Sequence, residues 1–85
     1  MIEFDAQKDA ANLEKHGISL SRADEMAIEA VSPDPHISEA RWRAFGRIGG
    51  RMFCLIFTVR DGRIRAISLR RAHGKEYRRY VLPKE

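Results

Sequence analysis

The segment from Ile64 to Tyr80 reads IRAISLRRAHGKEYRRY: five arginines, a lysine, one glutamate, one histidine and two tyrosines in seventeen positions. Fixed cations beside a carboxylate, an imidazole and phenols match what metal-free cleavage of an RNA phosphodiester requires. A base must take the 2′-hydroxyl proton, cations must hold the phosphate as charge builds, and an acid must protonate the departing 5′ oxygen. Such proton transfers contribute about 10²–10⁴-fold each, and preorganised donors at the developing charge often contribute more. Arg70 and Arg71 can clamp the phosphate, because guanidinium binds oxyanions through a two-pronged fork and stays charged. Glu76 or His73 can serve as base, and Tyr80, Tyr77 or His73 as acid.

The same residues have plainer uses. Glu76 can pair with Arg79 one helical turn on, a surface contact worth only about 0.2–0.5 kcal/mol. Tyr77 and Tyr80 at helical spacing suit a core anchor, and His73 a polar turn. A basic strand end can also bind phosphate and cut nothing, or hold only a partner protein.

These residues need a strand and a helix to position them. RIRAISL alternates, which puts Ile64, Ala66, Ser68 and Arg70 on one strand face. From about His73 the chain turns helical, with Tyr77, Tyr80 and Val81 as its apolar stripe and Pro83 closing it. Upstream, RMFCLIFTVR is apolar on both faces, as suits a central strand. RWRAFGRI alternates, with Trp42, Ala44 and Ile48 facing one way and Arg41, Arg43 and Arg47 the other. Gly49-Gly50 and Asp61-Gly62 join the three strands as tight hairpins.

The N-terminal half reads differently. MIEF suits a short edge strand, and Asp5 caps a helix through AQKDAANLEKH that Gly17 stops, with Ala6, Ala10 and Leu13 at helical spacing. A second helix is expected with Ser19 or Ser21 as cap and Ala23, Met26, Ala27 and Ala30 as its apolar face. SPDPH ends it, and loop is expected to about Ala40. The expected order is β-α-α-β-β-β-α, an α+β domain around a three-stranded antiparallel meander.

Eighty-five residues make one domain, residues 1–85, and a hydrophobic share of 44% excludes wholesale disorder. Charge is divided along the chain. Residues 1–40 carry three basic against nine acidic side chains, net −6, whereas residues 41–85 carry thirteen against three, net +10. One electropositive face follows, and polyphosphates or an acidic protein are its natural partners. The lone cysteine, Cys54, lies in an apolar run as a small core residue, which fits a reducing compartment. His16, His36, His73 and Cys54 lack metal-ligand spacing, so neither a metal nor a cofactor is expected. No secretory signal or membrane-spanning run is visible, and a cytoplasmic protein without membrane contact is expected.

Two separated motifs carry a family likeness. FDAQKDAANLEKHGISL resembles the opening of the BrnT toxins, and GRIRAISLRRAHGKEYRRY resembles their closing segment of the form R-x-I-S-x-R-x-A…E…Y. RWRAFGRIGGRMFCLIFT fits the strand pair between them. The resemblance implies a RelE-like ribonuclease fold and a type II toxin that blocks growth by cutting RNA. It also implies neutralisation by a BrnA-type antitoxin, which alone would contact operator DNA. On this likeness Ser68, Arg70, Ala72, Glu76 and Tyr80 fall on the closing signature. Arg70, Glu76, Tyr80 and His73 are the catalytic candidates, with Arg71, Arg65, Arg79 and Lys75 as phosphate-binding candidates. The chain departs from the pattern at His73-Gly74, where relatives carry hydroxyl and basic residues, and at Leu69, where they carry a small one.

Overall fold

The computed structural model describes residues 2–35 and 39–84. Helix α1 (Ala6–His16) opens at Asp5, whose carboxylate accepts the amides of Gln7 and Lys8, and stops at Gly17 in the left-handed conformation. A 3-10 turn (Leu20–Glu25) follows, capped by Ser19. Four strands then form one antiparallel meander in sequence order: β1 (Ala27–Asp34), β2 (Arg41–Ile48), β3 (Arg51–Arg60) and β4 (Arg63–Arg71). The C-terminal helix starts as one α-turn (Gly74–Glu76), widens to π geometry over Tyr77–Val81 and tightens over Leu82–Lys84.

The fold is α+β as expected, but its sheet has four strands rather than three. The segment read as the second half of a helix, Ala27 to Ala30, is the start of β1. Ala23 and Met26 are buried as the helical reading required, yet they sit in and just after a short 3-10 turn. Pro33 fits because β1 is an edge strand, the place in a sheet where a residue without an amide hydrogen can face solvent. The loop expected to run to Ala40 therefore begins only after Asp34, and its residues 36–38, His36 among them, lie outside the described residues. Of MIEF, the described residues Ile2 to Phe4 contribute a single bridge, Glu3 to Arg65, rather than a strand.

The sheet has an apolar side on each face. The broad face packs Phe53, Leu55, Phe57, Ala44, Ala66 and Leu69 against Ile18, Leu20, Ala23 and Met26. Gly46 lies where the chain crosses from the 3-10 turn into β1, and a Cβ there would stand 2.4 Å from the Ala27 carbonyl oxygen. The narrow face packs Ala30, Phe45 and Cys54 under Val81, Tyr77 and Tyr80 of the C-terminal helix.

Helix α1 lies along the outer edge of β4. Its apolar residues do not face the sheet: Leu13 is 52% exposed, and the buried residue is Asn12. The Asn12 amide behaves as a piece of missing strand. Its Nδ2 donates to the carbonyls of Leu69 (2.8 Å) and Ile18 (2.9 Å), and its Oδ1 accepts the Leu69 amide (3.0 Å). Buried polar groups must be paired, and here one side chain satisfies both groups of an edge residue. The Glu3 bridge closes the same edge further along, through the Ile64 carbonyl and the Ala66 amide.

Candidate functional site

β4 does not keep one alternation along its length. Ile67 is an extra residue between Ala66, paired with Phe57, and Ser68, paired with Ile56. A one-residue bulge moves every later side chain to the opposite face. Ala66 and Leu69 therefore both point into the broad-face core, while Ser68 and Arg70 point to the narrow face. The uninterrupted alternation read from the sequence, which grouped Ala66 with Arg70, is corrected by this bulge. Without it Arg70 would face the core.

At that strand end Arg70 pairs across to Cys54 and meets the first turn of the C-terminal helix. Its Nη1 and Nη2 each donate to one Glu76 carboxylate oxygen at 2.8 Å, and Nη1 also reaches the Arg71 carbonyl at 3.2 Å. Glu76 Oε1 accepts the His73 amide at 2.9 Å. Glu76 thus pairs with Arg70 and not with Arg79. The Arg70 fork holds the Glu76 carboxyl down to about 2, against the opposing effect of burial, with the His73 amide adding to the depression. Glu76 in turn raises the Arg70 guanidinium above its ordinary value.

A second pair stands on the same face. Arg43 of β2 donates from Nε to Asp34 of β1 at 2.5 Å, and both side chains are mostly buried. Arg43 Nη1 approaches the Tyr80 hydroxyl at 3.4 Å, and its guanidinium lies 5.6 Å from the Tyr80 ring centroid. Tyr80 stacks on Phe45 (5.3 Å, 11°) and carries Arg79 at 5.5 Å from its ring centroid. Cys54 is fully buried, and burial pushes its thiol up to about 11, despite the opposing charge of Arg70. It is packing, not a nucleophile.

The structure therefore brings Arg70, Glu76 and Tyr80 to one face, with His73 exposed at the turn and Lys75 and Arg79 on the exposed side of the helix. It separates two others. Arg71 pairs with Phe53, so it leaves from the broad-face side, away from the Arg70 fork. Arg65 lies five residues back along β4, about 16 Å at strand rise, in a groove shared with Glu3, Arg60, Asp61 and Arg63. Asp34 and Arg43 were not among the sequence candidates. The available signal was in RWRAFGRI, where Arg43 shares its strand face with Phe45, a residue too apolar for a purely solvated face. Among the described residues, no group of three or more His, Cys, Asp or Glu side chains is placed to hold a metal ion. No helix among them is long and apolar enough to cross a membrane.

The pattern of the family described as "Ribonuclease toxin, BrnT, of type II toxin-antitoxin system" matches residues 4–76. The chain belongs to the BrnT family. The match includes Arg70 and Glu76 and ends before Tyr80. Among solved structures, the chain is similar to the 1.1 Å crystal structure of the Brucella abortus ribonuclease toxin BrnT. That similarity has a TM-score of 0.64 at 25% identity, over 85% of this chain and 95% of the other. No curated protein matches the chain. Family members are described as ribonuclease toxins of type II systems, and in this chain the narrow face carries the Arg70–Glu76 fork, the Asp34–Arg43 pair and Tyr80.

Proposed function

We propose that the chain is a metal-independent endoribonuclease that inhibits growth by cutting RNA and is neutralised by a BrnA-type antitoxin. The observation that carries this reading is the Arg70 fork: a guanidinium at a rigid strand end, three-quarters buried and aligned by Glu76. A guanidinium so placed neutralises a phosphate where charge accumulates, the role a metal ion would otherwise fill.

In this reading the scissile phosphate takes the place of the Glu76 carboxylate on Arg70, and Glu76 is the positioning residue that keeps the fork aligned until then. A carboxyl held at about 2 is a weak base at neutral pH. His73, exposed beside it, takes the proton of the 2′-hydroxyl. The 2′ oxygen attacks phosphorus, and the bond to the 5′ oxygen breaks. Tyr80 gives that oxygen its proton, leaving a 2′,3′-cyclic phosphate and a 5′-hydroxyl. The Tyr80 oxygen faces an Arg43 donor at 3.4 Å, an arrangement that leaves the phenol proton free to be given. Arg43, Arg79 and Lys75 border the path with positive charge.

The wider proposal follows the family: a RelE-like domain over residues 1–85, active in the cytoplasm, reaching operator DNA only through its antitoxin. The test is cleavage of a labelled RNA in EDTA by wild type, Arg70→Ala, His73→Ala and Glu76→Gln. Cleavage by wild type, abolished in Arg70→Ala with the fold retained, supports the reading. RNA binding without cleavage would make the face a binding module. Cleavage restored only by added metal would overturn the metal-independent mechanism.

A further inference from the structure

Helix α1 is oriented against the usual logic of a packed helix. Lys8, Ala11, Asn12 and Lys15, at i, i+3, i+4 and i+7, form one face and turn toward β4, while Leu13 is left 52% exposed. Between helix and strand is a groove of about 210 Å³, lined by Lys8, Lys15 and His16 on one side and Ile67 and Ser68 on the other. Asn12 lies at its base with its amide engaged by Leu69 and Ile18, so it is structural. Among the described residues neither lysine makes an ion pair.

The groove leads to the candidate site. The Ile67 bulge puts Ser68 on the same face as Arg70, about 7 Å away along the strand, the scale of one nucleotide of extended backbone. His16 is close enough to Arg70 to feel its charge, which adds to burial and to Lys15 in holding the imidazole below its ordinary value. Two unpaired ammonium groups, a hydroxyl and an imidazole in one groove call for an anion that runs on from Arg70.

We propose that the groove between α1 and β4 is a second phosphate subsite for the RNA strand. In it Lys8 and Lys15 hold the phosphodiester next to the one on Arg70, and Ser68 donates to it. This rests on the ribonuclease reading and adds where the substrate runs: along the helix, not only over the narrow face.

The test uses a fully 2′-O-methylated oligonucleotide of about eight nucleotides, which lacks the attacking hydroxyl, in binding titrations over a range of salt. The double variant Lys8→Ala/Lys15→Ala is expected to bind about tenfold more weakly, with a salt slope shallower by about 0.7 per phosphate lost. Lys15→Arg should bind like wild type, and Arg63→Ala, at the far end of β4, should change affinity less than twofold. Both lysines are exposed, so circular dichroism should show the wild-type fold. A double variant that binds like Arg63→Ala, with an unchanged salt slope, would overturn the subsite. If wild type cuts no RNA but binding still depends on the two lysines, the subsite stands and the catalytic reading fails.

Discussion

The two faces of one sheet differ in what covers them. The broad face is closed by Ile18, Leu20, Ala23 and Met26, and the core cluster beneath them holds no charged side chain. The narrow face has a smaller apolar base, Phe45, Cys54 and Ala30, and above it two arginine–carboxylate pairs and a tyrosine. Both faces draw on the same strands, β3 above all, whose alternate residues serve one and then the other. One face can therefore hold half-buried charge because the other supplies most of the apolar burial. The bulge at Ile67 is where β4 passes from one task to the other.

The division predicts that substitutions on the two faces fail in different ways. The largest loss of stability is expected on the broad face: Leu55→Ala removes a side chain only 1% exposed and should cost roughly 2–5 kcal/mol. For a chain this size that is a large part of a total of about 4–13 kcal/mol. Thermal or urea unfolding measures it, and activity per folded molecule should be kept. Arg70→Ala should fail mainly in chemistry: loss of the fork to Glu76 should cost about 1–3 kcal/mol and leave the protein folded, while cleavage per folded molecule falls about 10²–10³-fold. A folded Arg70→Ala protein with wild-type cleavage would remove Arg70 from the chemistry.

Glu76→Gln tests where the faces meet, because Glu76 joins the end of β4 to the C-terminal helix. Losing the charge of the fork should cost about 1–2 kcal/mol. Its pH dependence has a definite sign. Folding lowers the Glu76 carboxyl from 4.5 to about 2, so its contribution is complete above about pH 4.5 and is lost as the pH falls through about 2. The stability gap between wild type and Glu76→Gln should close over that window. A gap constant across it would mean that Arg70 does not hold the carboxylate in solution.

What the sequence made legible was local. Asp5 acts through its carboxylate on the next amides, and Gly17, Gly49-Gly50 and Asp61-Gly62 through their own backbone conformations; each stands where it was read. Of the three long strands, β2 and β4 were visible in their alternation and β3 in a run apolar on both faces. β1 was not, because Ala23, Met26, Ala27 and Ala30 satisfy a helical period while an exposed edge strand demands little of its residues. The bulge was invisible for another reason: nothing within RIRAISLRR marks it, since it comes from register against β3. In the same way α1 was read by its apolar stripe, whereas the contact that seats it is the Asn12 amide on a strand edge. Within the candidate site, Arg70 and Glu76 are six residues apart and could be linked from the closing segment alone. Asp34 and Arg43 meet them only through strand order, which no spacing reports.

The smallest expected effect concerns the groove beside α1, and it separates two histidines. His16 faces Lys15 and Lys8 on its own helix and Ser68 and Arg70 on β4. Burial first, then Lys15 and Arg70, hold its imidazole below the ordinary 6.5, so the free folded protein resists taking that proton. The unfolded chain does not, and the His16 contribution to stability therefore declines as the pH falls below 6.5 until the folded state protonates too. A phosphate in the groove opposes the same cations and favours charged imidazole. RNA binding should then take up a proton, and affinity for the 2′-O-methylated oligonucleotide should rise about two- to fivefold as the pH falls from about 8 to 5. In His16→Ala that rise should flatten, while in His73→Ala it should persist. The opposite pattern would place the bound strand over the turn at His73 and away from Lys8 and Lys15 of α1.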